Sequence, residues 1–500
     1  MVTQLAYRPA LFYIDSYKYL MGSGGSDPAG YNVLLKPLLW VGNLAVVAGF
    51  QHLLGLAMAI TLYTLLIRRG APRWAATLAA APLLLDAYQL QMEQTIMPDV
   101  TFEALITAGL TILLWKSRPG FGRLAAGAAV LGLAADVRQI GEMLIIPAAV
   151  FAVLVARRWR RRRGYLGVAA ACFVLPVAGY MTVSSATGNG FALTTQGANV
   201  LYGRAAAAAD CATLKLPAGE RSLCPSPAVA SGGIDRIINN ADGPYQSYKP
   251  APGTSASQAT NDFGRAVLRQ QPLAIPLSVL RDATRLFALT RDGDANITPI
   301  SRWQFQPGYA TYPPGVTMSF VASEADQYGG GAPVAARPLA LFLRAYQLNG
   351  GYTPGPLLAV MTAAGAVGPL FAFSWRRPRR PKSGAASGSD RQLAVAAMLA
   401  TVAAIAVVLG SDVYEFSWRY ELPALVILPI AGTFGYLVVS RRVRHCRISA
   451  DLADGHPRRV IGSNGPDLGC AADAGSAALG GSRDVTSDDV AEECLQLDAG

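Results

Sequence analysis

Apolar and polar positions along this chain fall into long blocks rather than a two- or four-residue alternation. Nine blocks are apolar almost throughout: 44–67, 72–90, 100–115, 121–136, 139–156, 165–185, 353–374, 392–410 and 422–440. Several reach the ~20 residues that cross the hydrocarbon of a bilayer. Blocks of that kind demand helices, because a spanning segment must satisfy its own backbone groups. The stretch 121–156 also admits a different division.

The polar stretches between the blocks divide the chain. Residues 1–43 form a first loop and 44–185 the first part of a helical bundle. Residues 186–352, rich in Gly, Pro, Ser, Asn and Tyr, form one large domain between spans. The bundle resumes over 353–440, and 441–500 is a polar tail without apolar periodicity, expected to be disordered. The segment 376–391 (RRPRRPKSGAASGSDR) reads as a flexible linker. The fold class expected is an all-α polytopic membrane protein of about nine spans, carrying one mixed extracytoplasmic domain.

Composition agrees: 52% of the 500 residues are hydrophobic and 15% charged, against about 25% charged in soluble domains. The net charge of +11 invites a nucleic-acid partner, and its distribution argues against one. The basic residues cluster in short loops, at Arg68–Arg73, Lys116–Arg123, Arg157–Arg163, Arg376–Lys382 and Arg441–Arg447. All five clusters fall on one side if nine spans alternate, which is the positive-inside pattern. Contact with anionic lipid headgroups follows from the same clusters.

This topology places the N-terminus outside, although no apolar helix precedes residue 44. The expectation is that the natural protein carries one further N-terminal helix; the alternative is a short translocated tail. The large domain lies outside as well. Cys211 and Cys224, in CATLKLPAGERSLC, are expected to form a disulfide there, where the compartment is oxidising. The stretch 262–289 reads as two short helices parted by Pro272 and Pro276. The second suits either the membrane surface or the side of the bundle. SRWQFQPGYATYPPG at 301–315 offers aromatic faces that suit sugar rings, interfacial lipid or an ordinary loop core.

The ionisable residues that remain collect on the side opposite the basic clusters: Asp15, Asp86, Glu93, Asp99, Asp136, Arg138, Glu142, Asp412, Glu415 and Arg419. Such groups are expensive at the edge of hydrocarbon and rarely persist there without a use. Asp15, in YIDSYKYL, is either a solvated surface acid or a working carboxylate. Glu93 and Asp99, in DAYQLQMEQTIMPDVTFEAL, belong to a carboxylate cluster able to hold sugar hydroxyls or a divalent ion. Arg138 and Arg419 stand at membrane edges, where arginine anchors a helix or grips a phosphate with its planar fork.

YIDSYKYL followed by GYNVLLKPLLWVGNLAVVAGFQHLLG resembles the first luminal loop and second helix of the GT-C glycosyltransferases. The acidic loop before residue 105, VRQIGEMLIIPA and SWRYELPALVILP resemble later elements of that superfamily. The nearest kin by this resemblance are bacterial relatives of the protein O-mannosyltransferases and of the lipid A aminoarabinose transferases, over roughly residues 8–445. The chain departs from them in lacking the helix that normally precedes the Asp-bearing loop. The resemblance implies inverting transfer of a sugar from a polyprenyl-phosphate donor at the outer face of the bacterial plasma membrane. The acceptor is a glycan, lipid or protein. Asp15 is the implied base. Glu93 and Asp99 are the implied orienting groups for sugar or acceptor, and Arg138 and Arg419 hold the donor phosphate. No cofactor is implied with certainty, and a divalent metal is required in some members only. A multi-span transporter or lipid flippase is the competing class, and a non-catalytic envelope assembly protein a third.

Overall fold

In a computed structural model, residues 2–22, 25–156, 159–250, 252–291, 297–312, 316–374 and 386–453 are described. Each of the nine apolar blocks carries a helix: Leu44–Arg68, Arg73–Leu85, Asp99–Leu114, Phe121–Val137, Ile145–Val155, Trp159–Ala186, Gly355–Ser374, Ala386–Tyr414 and Ala424–Ala453. Among the described residues, five of these are long and apolar enough to cross a membrane, and the others are shorter.

Local chemistry sets the ends. The Asn43 side chain caps the helix Leu44–Arg68 by accepting from the amides of Ala45 and Val46 at 2.9 and 3.2 Å. The chain then turns at Gly70, with φ +87°, before Pro72 opens the next helix. Small residues let helices approach closely, as they do in membrane bundles. A Cβ on Gly435 would lie 2.0 Å from the carbonyl oxygen of Ala364, so the last helix and Gly355–Ser374 touch backbone to backbone there.

The outward faces of the bundle are apolar. Leu53, Ile60, Leu175, Val183, Val360 and Leu370 all stand exposed, Leu175 by 73%. An apolar belt of this kind fits a lipid solvent. Three of the basic clusters meet at one end: Arg69 donates to Ser117, Arg441 lies beside Gly70 and donates to Ser389 at 2.8 Å, and Arg442 donates to the carbonyl of Phe371 at 2.7 Å.

The 186–352 region is helical where it is described, rather than mixed. Its one strand, Val334–Ala335, pairs antiparallel with Tyr7–Arg8, in the register Tyr7 to Ala335 and Arg8 to Val334. Tyr202, Leu214, Leu223, Val229, Ile237 and Phe263 form a small core of their own. Cys211 and Cys224 border it and are joined by a disulfide with Cα atoms 6.1 Å apart. The region does not stand apart: residues 1–446 cluster as one compact unit, and the last few described residues beyond 446 belong to a second. Residues 262–289 do break into two helices, Ala256–Gln270 and Ala274–Thr284. Leu277 and Leu280 of the second, and Leu273 just before it, are exposed, while Val279, Asp282 and Ala283 pack inward.

The first 43 residues contain the helices Val2–Ala6, Ser16–Met21 and Gly30–Val41. The linker expected at 376–391 lies outside the described residues as far as 385, and residues from 386 begin a helix. Of the expected disordered tail, residues 441–453 are helical, and 454–500 lie outside the described residues.

Candidate active site

The site is assembled by four segments at the end of the bundle opposite Arg69, Ser117 and Arg441. Leu11 forms a parallel bridge with Thr95: its amide donates to the Gln94 carbonyl at 2.8 Å, and its carbonyl accepts from Ile96 at 3.0 Å. That bridge sets the spacing between the turn holding Asp15 and the helix that starts at Asp99. In the turn, Ser16 accepts from the Tyr13 amide at 2.9 Å through its hydroxyl, and its own amide donates to the Tyr13 carbonyl at 2.9 Å. Arg138 follows the helix Phe121–Val137 in extended backbone. Arg419 lies on the run of tight turns between Tyr414 and Ala424.

Arg419 joins these segments. Its Nε donates to both oxygens of Asp99, at 3.0 and 3.1 Å, and its Nη1 donates to Asp15 Oδ2 at 3.2 Å. Arg138 donates to Asp99 Oδ1 as well. The Tyr420 ring sits between the two guanidiniums, 5.1 Å from Arg138 and 5.3 Å from Arg419. Lys18 completes the group, 3.3 Å from Asp15 Oδ1 and 3.5 Å from Asp27. Burial pushes the Asp15 carboxyl up, but Arg419 and Lys18 outweigh it and hold the group below its ordinary range.

A cavity of about 970 Å³ opens over this group. Asp15, Lys18, Arg138 and Arg419 lie on one flank. A second flank is apolar, with Ile140, Met143 and Ile146 facing Val402, Ile405 and Leu409. Ile146 and Ile405 remain about half exposed, at 47% and 48%. The third flank comes from the 186–352 region and includes Asn199, Asp235, Asn239, Thr298 and Arg302.

Not every residue expected at the site is there. Asp15, Arg138 and Arg419 border the cavity. Asp99 does not: it is 1% exposed and acts as the anchor for the two arginines. Glu93 is also absent from the cavity wall. It lies inside the bundle, where its Oε2 meets His52 Nδ1 at 2.7 Å. A Cβ on Gly55 would fall 2.0 Å from Glu93 Oε1, so the bundle closes over this carboxyl. The reason is register: the helix Ala87–Gln94 turns Glu93 toward Leu44–Arg68, whereas Asp99 begins the next helix beside Arg138. Neither side chain lines the cavity. Asp86 is structural, capping the helix Ala87–Gln94 and pairing with the buried Arg291 at 2.7 Å. Among the described residues, no group of three or more His, Cys, Asp or Glu is placed to hold a metal ion.

Other participants were less apparent. Lys18 and Tyr420 lie inside the motifs around Asp15 and Arg419, three residues and one residue away. Arg302 and Trp303 come from the aromatic segment at 301–315: Arg302 donates to the Tyr13 hydroxyl at 3.1 Å and pairs with Asp235 at 3.0 Å, and the Trp303 ring lies 4.6 Å from the Tyr13 ring. No family model, curated protein or solved structure matches this chain.

Proposed function

We propose that the chain is an integral membrane glycosyltransferase that moves a sugar from a polyprenyl-phosphate donor to an acceptor of the cell envelope. In this reading it has nine spans and is a GT-C relative in the bacterial plasma membrane, with its site on the outer face. The observation that carries the reading is the cavity, where an apolar flank bordered by half-exposed Ile146 and Ile405 meets a floor of Arg138, Arg419, Lys18 and Asp15. A ligand with a long hydrocarbon chain and an anionic head fits both surfaces at once.

The chemistry follows from the charges. The acceptor oxygen attacks the anomeric carbon as the bond from that carbon to the phosphate oxygen breaks. The phosphate leaves with an added negative charge, which Arg138, Arg419 and Lys18 stabilise. The acceptor proton passes to Asp15. At rest, Arg419 and Lys18 keep Asp15 ionised but weakly basic. A bound phosphate competes for the same two cations, so donor binding raises the basicity of Asp15 when it is needed. Direct displacement inverts the anomeric centre. A lipid flippase would need the same lipid site but no base.

The test is sugar transfer by the purified chain in nanodiscs, supplied with a panel of polyprenyl-phosphate monosaccharides, beside a lipid-translocation assay in vesicles. Transfer that Asp15→Asn abolishes supports the reading. Translocation without transfer, unchanged in Asp15→Asn, rules it out.

A further inference from the structure

A second, open groove of about 410 Å³ lies beside the cavity, lined by Ser301, Arg302, Gln306, Gly308, Tyr309 and Tyr312 among others. Arg302 borders both spaces. Its guanidinium is fixed between the Tyr13 hydroxyl and Asp235, about one-third exposed, at the boundary of the two. A cluster of tilted and edge-on rings, Trp303, Tyr13 and Tyr312, runs beside it, with ring centroids 4.6 and 5.3 Å apart. Glu415 stands further along the cavity wall. It is 2% exposed; its Oε2 accepts from Thr298 at 3.2 Å, and its Oε1 has no hydrogen-bond partner among the described residues. A buried polar atom left unpaired is costly and normally has a use.

We propose that this groove and the cavity wall of Arg302, Asp235 and Glu415 form the acceptor subsite, and that the acceptor is a neutral oligosaccharide threaded past Arg302 with its reactive end toward Asp15. The proposal rests on the glycosyltransferase reading and supplies the acceptor class that the reading leaves open.

Three features select this class. Hydroxyls donate and accept at once, and the wall offers both kinds of partner: a guanidinium, two carboxyls and the amides of Asn199 and Asn239. Burial and the neighbouring Asp235 push the Glu415 carboxyl up to about 8, so at neutral pH it carries a proton to donate. Arg302, the charged residue of the groove lining, is already paired with Asp235, which leaves little attraction for an acidic glycan. An extended peptide is usually held by pairing with a sheet edge, and among the described residues the only ladder is two residues long and already paired. A lipid acceptor would need a second apolar channel, and the apolar flank lies between Ile146 and Ile405, away from the groove.

Gly308 provides a clean test. It lines the groove, and a Cβ there meets nothing within 4 Å. Gly308→Trp should therefore fill the groove without disturbing the fold. The probes are neutral trisaccharides of hexoses and pentoses, their methyl monosaccharides and a Ser/Thr-rich peptide. Each is measured as acceptor with the full chain in nanodiscs, and by calorimetric binding without donor. The expected result is trisaccharide binding, with the acceptor KM raised about tenfold or more by Gly308→Trp while the monosaccharide and donor KM stay within twofold. Glu415→Ala and Asp235→Ala should raise the KM of both saccharides, and Glu415→Gln should recover much of the loss, because a carboxamide also donates and accepts. A merely structural Glu415 would change melting temperature in these variants without separating acceptor from donor KM. Trisaccharide binding that is indifferent to Gly308→Trp overturns the proposal, as does transfer to the peptide alone. If no transfer occurs under any condition, the glycosyltransferase reading fails, while trisaccharide binding weakened by Gly308→Trp still supports the subsite.

Discussion

Arg138 and Arg419 donate to the same atom, Oδ1 of Asp99. One buried carboxylate thus holds two guanidiniums at the spacing a phosphate would use, and does so before any ligand arrives. Preorganised cations need no rearrangement as charge develops on a leaving group. Asp99→Asn keeps the shape and removes the charge, leaving two cations, one of them 4% exposed, without their shared anion. Loss of one partner from a buried pair typically costs ~3–5 kcal/mol. The expected outcome is a clear fall in melting temperature and weaker donor binding. Arg138→Ala, at a more exposed position, should raise donor KM more than acceptor KM with a smaller stability loss. Equal effects on both substrates would remove the arginines from the donor site.

Asp15→Asn tests the base. The Asn side chain still accepts from Arg419, so folding and donor binding should persist while turnover falls by ~10²–10⁴-fold, the range for loss of a general base. The pH dependence has a definite sign. The folded carboxyl titrates below its unfolded value of ~3.9. Its ion pairs therefore contribute stability above that value, and the contribution is lost as pH falls through the lower folded value. Between pH 5 and 7 the wild-type kcat/KM for donor, which reports the free enzyme, should show no loss attributable to Asp15. A kcat/KM that falls with a midpoint near 6 would assign the base elsewhere.

Glu415 has the opposite sign. Its folded value is pushed up to about 8 from 4.5 by burial and by Asp235. In that window the native state holds a proton that the unfolded chain has released, so stability declines as pH rises, by up to ~1.4 kcal/mol per unit. Thr298, Arg204 and Arg302 oppose the shift without cancelling it. Glu415→Gln does not titrate. Its melting temperature relative to wild type should rise steadily from pH 5 to pH 8, and a constant difference would show that Glu415 is already ionised.

The helices were legible in the sequence because their signal is local. All nine apolar blocks carry a helix, and Asn43, Gly70 and Pro72 mark ends that a linear reading can find. Asp15, Arg138 and Arg419 were legible as charges at membrane edges. Glu93 lies off the cavity because its place depends on which way one short helix faces, and only Gly55 on another helix leaves room for it there. Arg302 and Asp235 lie 67 residues apart in a region without periodicity, and only the tertiary fold pairs them. The mixed character expected for 186–352 came from its Gly, Pro and Ser content, which breaks long helices but does not make strands. Short helices around a disulfide and a small core satisfy the same composition.

That disulfide has a local role. It closes a 13-residue separation beside the core of Tyr202, Leu223 and Phe263. A loop of about 15 residues is worth ~3 kcal/mol in the chain-entropy account. Replacing both Cys211 and Cys224 by Ser should speed amide exchange over 197–275 and leave exchange in the bundle helices unchanged. Uniform loss of protection would mean that the bond supports the whole unit.

Sidedness is the remaining expectation, and much of the functional reading depends on it. Three of the basic clusters meet at one end, where Arg69 bonds Ser117 and Arg441 bonds Ser389, and the Asp15 group lies at the other. Positive charge favours the cytoplasmic side, and on that expectation the cavity would face outside. Gly120 lies at the basic end and Gly308 in the groove, and both have open space around a Cβ. Gly120→Cys and Gly308→Cys, each made with Cys172, Cys446, Cys470 and Cys494 replaced, should report the two sides without disturbing the fold. A membrane-impermeant maleimide applied to intact cells is expected to label Gly308→Cys, and to reach Gly120→Cys only after the membrane is permeabilised. The reverse pattern would turn the cavity toward the cytoplasm. The arginine floor would then face soluble nucleotide sugars, and the case for a polyprenyl-phosphate donor would lose its basis.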